Sequence, residues 1–224
     1  MIQAEKTDPI LGQNVQEVLK NAGVDTPTLS ECLNMDETTK IAAITGSVTD
    51  IMTVLGLDLS DDSLSDTPKR VAKMFVQEIY SGLNPNLFPK CTAVDNKMGY
   101  DEMVVEKNIA IKSMCEHHWM PISGIAHIAY IPRQKVLGLS KLNRVANYFA
   151  RRPQIQERLA EQIYFALNHI LETEDIAVVI DADHFCVKHR GIMDENSHTI
   201  TSKLGGCFKN DPAVRAEFMA LIRG

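Results

Sequence analysis

Apolar residues recur with a helical period over the first hundred residues of the chain. One pattern predicts a short helix that ends near Gly23, and a second predicts a longer helix that ends near Gly56. Their apolar positions are Val15, Val18 and Leu19 in the first helix, and Ile41, Ile44, Val48, Ile51, Met52 and Leu55 in the second. An acidic residue and a hydroxyl before a proline, at residues 66–68, are typical of a helix start, so a third helix is predicted from there to Gly82. We interpret residues 1–100 as a helical N-terminal region.

From about residue 100 onward the pattern alternates between strand and helix. Strands are predicted at residues 104–111, 122–131, 176–180 and 199–204. Helices are predicted at residues 140–150, 153–171 and 213–222. The third strand is expected to stay extended as far as Arg190. Paired strands with paired helices between them predict an α+β domain over residues 101–224, in which helices pack on one face of an antiparallel sheet.

Composition and charge narrow the classes of protein. The chain has 224 residues, 45% of them hydrophobic and 23% charged, with a formal net charge of -6. This length predicts one large domain, or a small domain carried on a second, and the composition excludes a disordered or collagen-like chain. An acidic chain lacks the surplus of Lys and Arg that non-specific nucleic-acid binding needs, so no nucleic-acid partner is expected. Taken alone, the same charge argues against a strongly anionic small substrate.

The sequence carries no signal for secretion or membrane insertion. Residues 1–8 lack the apolar segment of a secretory signal, and no stretch reaches the roughly 18 consecutive apolar residues of a membrane helix. The cysteines are odd in number and widely scattered, which is a poor framework for disulfides: Cys32, Cys91, Cys115, Cys186 and Cys207. We therefore expect a soluble cytoplasmic protein without a membrane partner, whose cysteines bind metal or are buried.

Two short segments combine residue types that bind metal ions. In Cys-Glu-His-His at 115–118, Cys115 and His118 are three positions apart in a predicted turn, a spacing that lets sulfur and imidazole reach one ion. Much later, residues 184–190 read His-Phe-Cys-Val-Lys-His-Arg. An extended segment would place on one face the side chains of His184, Cys186, Lys188 and Arg190. A soft ligand, an imidazole and two cations on one face are typical of half an active site.

Two interpretations of these ligands stay open. Zinc held by Cys115, His118 and Cys186 has three protein ligands, which is the catalytic pattern because the fourth position is left for water. His117 and His184 are then suited to proton transfer. In the alternative, His117 is a fourth ligand that closes a structural site in a non-catalytic assembly protein. The other cysteines are interpreted as small buried residues, and the histidines at 127, 169, 189 and 198 as lying outside the site.

Cationic side chains occur in three pairs that suit a polyphosphate. Ser140 is the predicted N-cap of a helix whose first turns carry Lys141 and Arg144, so free N–H groups and two cations favour an anion there. The other pairs are Arg70 with Lys73, and Lys188 with Arg190. A solvated helix face is the alternative for the pair at 70 and 73. By pattern alone Glu157, next to Gln156, lies opposite the apolar stripe of its helix and is interpreted as solvated surface.

Six stretches, in order along the chain, make the sequence resemble the GTP cyclohydrolase I family of zinc enzymes. They are D-T-P-K-R-V-A-K-M at 66–74, C-E-H-H at 115–118, G-L-S-K-L-N-R at 138–144, R-P-Q-I-Q-E-R-L at 152–159, H-F-C-V-K-H-R-G-I at 184–192 and T-S-K-L-G-G-C-F at 201–208. The resemblance extends from about residue 35 to the C-terminus, whereas residues before 35 resemble nothing specific. His189 and residues 204–206 differ from many members, which leaves small changes in the anion pocket open.

The resemblance implies a fold, an assembly and a reaction. The fold is the tunnelling fold, assembled into a ring-shaped homodecamer with active sites shared between subunits. The reaction is hydrolytic opening of the guanine imidazole ring of GTP at C8, followed by loss of that carbon as formate. Rearrangement and closure then yield 7,8-dihydroneopterin triphosphate, in the first step of tetrahydrofolate and pteridine biosynthesis.

The resemblance also implies roles for individual residues. Cys115, His118 and Cys186 match the zinc ligands. The proton-transfer residues are matched by His117 and His184, and a hydroxyl of the later steps by Ser140. Glu157, with help from Gln156, matches the guanine anchor, which replaces the solvated interpretation of this carboxylate. The matches to triphosphate contacts are Arg70, Lys73, Lys141, Arg144 and Arg190, with Lys188 a weaker candidate.

Two other classes of enzyme are disfavoured by the same residues. Another pterin or purine enzyme on the same fold would need no cations for three phosphates if its substrate were a base alone. A zinc nucleobase deaminase would carry an H-x-E and P-C-x-x-C signature, which the sequence lacks.

Overall fold

The N-terminal part of the chain is helical, as predicted. A computed structural model describes residues 6–223. Its first elements are α1 (Pro9–Asn21), α2 (Ser30–Leu33), α3 (Glu37–Val54) and α4 (Thr67–Met74). The Asp8 side chain accepts a hydrogen bond from the backbone N–H of Leu11 and so caps α1, and Asp36 caps α3 in the same way. Gly23 and Gly56 follow the two helices with φ of 70° and 80°, which explains why both helices end there.

The third predicted helix begins at the expected place but does not stay α-helical to Gly82. After α4 the chain forms a π-helical turn at Phe75–Ile79, then 3-10 turns at Ser81–Leu83 and Pro85–Leu87. The extra residue in a π turn changes the direction of the side chains that follow it. Here the rings of Phe75 and Tyr80 pack against the Trp119 ring, with centroids 5.5 and 6.0 Å away. Tertiary packing of aromatic rings therefore accompanies the departure from the regular helix.

The strands form a sheet whose order differs from their order in the sequence. They are β1 (Ala93–Asp95), β2 (Val104–Cys115), β3 (Pro121–Tyr130), β4 (Lys135–Leu137), β5 (Pro153–Gln154), β6 (Ile176–His184) and β7 (Thr199–Leu204). Within residues 6–223, one five-stranded sheet has the order β5-β2-β3-β6-β7, and β1 pairs separately with β4. The neighbours β2, β3, β6 and β7 are antiparallel, whereas β5 runs parallel to β2.

Alternation along the central strands assigns the helices to the two faces of the sheet. The remaining helices are α5 (Leu139–Ala150), α6 (Gln156–Leu171), α7 (Phe185–Lys188), α8 (Gly206–Asn210) and α9 (Pro212–Arg223). Ile176, Val178 and Ile180 of β6 belong to the main core, which also contains buried residues of α1, α5 and α6. Ala177 and Val179 point to the opposite face and pack with apolar residues of α8 and α9. The predicted α+β class is confirmed, but the helices are not confined to one face as predicted, because α8 and the predicted C-terminal helix α9 pack on the second face.

Two predicted boundaries are wrong for reasons of strand pairing. The helix predicted from Pro153 begins at Gln156, because Pro153 and Gln154 pair with Met114 and Cys115 as β5. The segment predicted to stay extended to Arg190 leaves the sheet at His184 and turns into α7. The strand β7 pairs with β6 only as far as Ala182, two residues before β6 ends. Beyond that point β7 no longer holds the chain in an extended conformation.

No helix among residues 6–223 is long and apolar enough to cross a membrane.

A buried cation links the N-terminal region to the sheet. Arg152 lies between α5 and β5 and is 2% exposed. Its guanidinium donates to the Gly82 carbonyl at 2.7 Å, to the Tyr148 hydroxyl at 3.2 Å and to the Thr26 hydroxyl at 3.4 Å. A carboxylate oxygen of Asp25 lies 3.9 Å from the same guanidinium. Since β5 follows at once and pairs with Cys115, this cation anchors the segment that supports a predicted metal ligand.

Replacing Arg152 by methionine is expected to lower the free energy of unfolding by about 3–5 kcal/mol, because the buried partners lose their charged donor. Urea unfolding at a fixed protein concentration measures the change. The adjacent Arg151 is half-exposed, so Arg151→Met is the matched control and should cost less than about 0.5 kcal/mol. Equal losses in the two variants would contradict the role assigned to Arg152.

Candidate metal and nucleotide site

The turn between β2 and β3 carries the first two predicted metal ligands. Cys115 is the last residue of β2, and its backbone N–H donates to the Met120 carbonyl at 2.8 Å. Its carbonyl accepts from the Trp119 N–H at 3.0 Å, and Trp119 itself has a φ of 50°. On the other side, the Glu116 N–H donates to the Gln154 carbonyl of β5 at 3.0 Å. These hydrogen bonds on both sides hold the turn to the end of the sheet.

The antiparallel pairing of β3 with β6 brings the distant Cys186 to this turn. His184, the last residue of β6, pairs with Ile122 near the start of β3, and Cys186 follows in α7. The ligand atoms of Cys115, His118 and Cys186 all lie within 4.8 Å of one another. Cys115 is buried, Cys186 is half-buried and His118 is exposed. The structure therefore gathers the three predicted ligands at one point, from two segments about seventy positions apart.

The chemistry of these three donors fits a zinc ion. Two sulfur atoms and one imidazole are the borderline-soft ligands that zinc prefers, and three protein ligands leave a coordination position open. Burial, and then the neighbouring Cys115, raise the pKa of the Cys186 thiol, while Arg190 lowers it. Two cysteines so close together are costly as thiolates without a cation, and a bound zinc ion would remove that cost. Among the described residues the group does not include His117, whose Nδ1 lies 3.8 Å from the Cys115 sulfur.

The ring of His184 is held in one tautomer by Gln156. The side-chain amide of Gln156 donates to the carbonyls of Ile180, at 3.0 Å, and Thr199, at 2.8 Å, so its oxygen is left as an acceptor. That oxygen lies 2.8 Å from Nε2 of His184, which must carry the proton. Burial lowers the pKa of His184, and Glu157 and Asp183 oppose the shift. The lowered pKa favours the neutral imidazole, and with the proton on Nε2 it is Nδ1 that can accept a proton.

The two residues of the predicted guanine anchor occupy different environments. Gln156 is 2% exposed, and its amide is engaged with His184 and two backbone carbonyls. Glu157 is exposed in the first turn of α6, as the apolar pattern predicted, and its charge acts on His184. The carboxylate is therefore near the imidazole and open to a ligand, whereas the amide serves to orient the imidazole.

Lys141 and Arg144 lie together on α5, but the helix does not begin as predicted. Its N-cap is Gly138, which has no side chain to cap the helix, and the predicted N-cap Ser140 is instead an exposed residue of the first turn. Burial raises the pKa of the Cys91 thiol to about 12, and the charges of Lys141 and Arg144 act in the opposite direction. Both cations are half-buried and flank the same thiol, so they share one side of the helix.

The other two cationic pairs are arranged differently from each other. Arg70 and Lys73 are exposed on α4, where Arg70 forms a surface ion pair with Asp66 at 3.3 Å. Lys188 is 17% exposed and its ammonium lies 2.7 Å from the Asp183 carboxylate. Because residues 185–188 are helical, the predicted single face of alternate residues from His184 to Arg190 is wrong. Arg190 instead lies about one helical turn beyond Cys186 and acts on its thiol.

Two charged residues near the metal ligands were not singled out from the sequence. Glu116 forms an ion pair with Arg158 of α6, and its other carboxylate oxygen lies 3.9 Å from Nε2 of His117. A Glu and an Arg 42 positions apart carry no spacing signal that predicts such a pair.

Of the three cysteines outside the metal group, which were predicted to be buried, one is exposed. Cys91 is buried and Cys207 half-buried, but Cys32 is exposed, since α2 buries none of its residues.

Comparisons with known proteins agree with the resemblance seen in the sequence. The family model described as GTP cyclohydrolase I matches residues 44–223. The GTP cyclohydrolase 1 of Aeromonas salmonicida (strain A449) is 52% identical over 210 residues, which cover 94% of this chain and 95% of that protein. The GTP cyclohydrolase 1 of Shewanella denitrificans is 53% identical over 205 residues, or 92% of this chain and 94% of that protein. This chain therefore belongs to the GTP cyclohydrolase I family.

Proposed function

We propose that this chain is a zinc-dependent enzyme that hydrolytically opens the imidazole ring of GTP. It releases formate and rearranges the remainder to 7,8-dihydroneopterin triphosphate, in the first step of folate and pteridine biosynthesis. The observation that carries this proposal is the group of Cys115, His118 and Cys186 in a chain that is 52% identical to a GTP cyclohydrolase 1 over 210 residues. A three-ligand group favours the catalytic interpretation over a closed structural site.

Cys115, His118 and Cys186 would hold the zinc ion. When bound, zinc acts as a Lewis acid and makes water a nucleophile near neutral pH, which is the chemistry that attack on C8 of guanine requires. The two sulfur donors that would hold the ion are buried or half-buried, whereas the imidazole donor, His118, is exposed.

His117 and His184 are assigned to proton transfer. The contact with Gln156 places a proton on Nε2 of His184, and burial lowers the pKa of this residue, which favours the neutral form with Nδ1 as a base. The ring of His117 is 63% exposed beside the Cys115 sulfur and can meet a substrate that approaches the same turn. Ser140, exposed at the start of α5, supplies the hydroxyl of the later steps. These assignments separate the groups that move protons from the groups that hold the metal.

The substrate is proposed to be held by its two ends. Glu157 would accept from the ring N–H and amino group of guanine, while Gln156 supports it by fixing His184. The triphosphate would be bound by Arg70, Lys73, Lys141, Arg144 and Arg190. Lys188 is a weaker candidate because Asp183 neutralises it at 2.7 Å. A net charge of -6 does not oppose this, since cations gathered locally can bind an anion on an otherwise acidic molecule.

Exposed apolar residues on the surface of the chain favour a homo-oligomer. Helix α3 has an apolar pattern, yet of its residues Met52 is buried while Ile51 is 59% exposed and Val54 87% exposed. Exposed apolar side chains on one helix are typical of an interaction surface. We propose the ring-shaped decamer of the tunnelling fold, with active sites between subunits. Arg70 and Lys73, exposed on the neighbouring helix α4, would then be supplied to a site on another subunit.

The proposed domain organisation is a helical region of residues 1–100 and a catalytic domain of residues 101–224. Residues 1–5 and 224 of these ranges lie outside the described residues. The proposed location is the cytoplasm. All five cysteines are free, which suits a reducing compartment.

The proposal is tested by incubating the purified, zinc-loaded protein with GTP. Formate and a pterin that becomes fluorescent after oxidation are expected together, in equal amounts. A chelator that removes the metal should abolish both, and zinc should restore them. Protein that binds zinc but yields neither product would contradict the proposal and favour the closed structural site. Formate without the pterin would restrict the activity to ring opening.

A further inference from the structure

Glu116 occupies a position between a buried cation and a predicted proton-transfer histidine. One of its carboxylate oxygens forms the ion pair with Arg158, and the other lies 3.9 Å from Nε2 of His117. The side chain of Glu116 is 25% exposed, whereas that of His117 is 63% exposed. The carboxylate is therefore the more enclosed of the two groups, and the ring is the more accessible to a ligand.

Arg158 is itself held in place by the elements that support the turn. Its side chain is 11% exposed, and its guanidinium donates to the Gln154 side-chain oxygen at 3.3 Å and to the Pro153 carbonyl at 3.2 Å. The backbone of Glu116 is bound to the same strand through the Gln154 carbonyl. A chain of contacts thus runs from α6 through β5 to the Glu116 carboxylate. Such support from beyond the reacting groups is how proteins keep catalytic side chains in a productive orientation.

The two nitrogens of His117 face different partners. Nε2 is on the side of the Glu116 carboxylate, and Nδ1 lies 3.8 Å from the Cys115 sulfur. At 3.9 Å, Nε2 and the carboxylate oxygen are too far apart for a hydrogen bond. The negative charge of the carboxylate still attracts a proton on the nearer nitrogen, so it favours the tautomer that carries the proton on Nε2. Nδ1 is then the nitrogen presented to the side of the metal ligands.

We propose that Glu116, anchored by Arg158, is a positioning residue that orients His117 with Nδ1 toward the metal ligands. This inference rests on the proposed function, because His117 is assigned there to proton transfer. The alternative is that the ion pair merely ties the turn to α6. The two alternatives differ in one respect: a positioning residue has its effect through His117, whereas a structural tie affects the enzyme whether or not His117 is present.

A double-mutant cycle separates these alternatives. The zinc-loaded wild type, Glu116→Gln, His117→Ala and the double variant are compared for kcat, for KM of GTP and for zinc content. Glu116→Gln is expected to lower kcat by about ten- to a hundredfold with zinc retained and KM nearly unchanged. The double variant should be no slower than His117→Ala within about threefold. A Glu116→Gln effect of the same size in both backgrounds, or one explained by zinc loss, would overturn the inference.

Glu161→Gln is the matched control, since Glu161, like Glu116, forms an ion pair with a cation of another element, here Lys203 at 2.7 Å. It is expected to leave kcat unchanged. A second measurement does not depend on turnover: the rate at which diethyl pyrocarbonate modifies His117, followed by peptide mass spectrometry. Glu116→Gln should speed this modification by about two- to fivefold, because the ring loses the carboxylate that orients it and a contact between partly exposed groups has a modest free energy. An unchanged modification rate would contradict the inference. A wild type that forms no product would contradict the proposed function instead.

Discussion

Zinc binding and turnover are both expected to be lost when Cys186 is replaced by alanine. The variant keeps Cys115 and the exposed His118, which are two donors from one short turn. Loss of an outer partner of a metal site already costs about 10- to 100-fold in affinity, and loss of a direct ligand should exceed that. Formate production from GTP should fall below detection. Metal analysis after dialysis, together with the formate assay, measures both effects.

The matched control for this variant is Cys207→Ala. Cys207 is half-buried like Cys186, but its backbone N–H donates to Asp175, and it does not belong to the ligand group. Burial raises its pKa to about 11, so the sulfur stays a neutral thiol. This variant is expected to retain one zinc per chain and its activity. If the alanine variant of Cys186 bound zinc as tightly as the Cys207 variant, the ion would have to be held elsewhere.

The sequence predicts elements well where a local signal defines them. The helix α1 has a capping aspartate at Asp8, a proline in its first turn and a glycine after its end, and the end predicted near Gly23 matches the observed one. The strand β7 was predicted with its observed bounds, because six residues there have strand character between polar neighbours. Propensity and capping act over a few residues, so one segment is enough to reveal them.

Other elements depend on partners that are remote in sequence. β5 is a strand because its two residues pair with Met114 and Cys115, and nothing in Pro153 or Gln154 by itself predicts that pairing. The end of β6 and the start of α7 depend in part on where β7 stops pairing. A single segment cannot reveal these events, since the free energy that decides them comes from tertiary contacts.

In the candidate site, too, local signals in the sequence predict some features, whereas others depend on contacts between remote residues. Residue types and short spacings were sufficient to predict Cys115, His118 and Cys186 as ligands, and in the structure their ligand atoms lie within 4.8 Å of one another. The partner of each polar side chain was not predictable. Lys188 is neutralised by Asp183, and the Gln156 amide is engaged with His184. Such contacts depend on side-chain directions, which follow from the fold rather than from spacing.

Replacing His117 by alanine is expected to leave zinc bound and to lower kcat by about 10²- to 10⁴-fold, the contribution typical of a general acid or base. Zinc should remain because the ligand group found among the described residues consists of Cys115, His118 and Cys186, without His117. Metal analysis and steady-state formate production give the two quantities on the same preparation. The exposed His169, in the last turn of α6, supplies the control His169→Ala, which should change neither.

This variant also decides between the two interpretations of the metal site that the sequence left open. If His117 were a fourth ligand, its removal would release zinc along with activity, and the site would be closed and structural. If His117 moves protons, metal content and turnover become separable: zinc stays at one per chain while kcat falls. The 3.8 Å between its Nδ1 and the Cys115 sulfur is compatible with both roles, so the metal content of the variant decides between them. A zinc content that falls in parallel with kcat would therefore remove His117 from the proton-transfer role, and with it the open coordination position that the proposed chemistry needs.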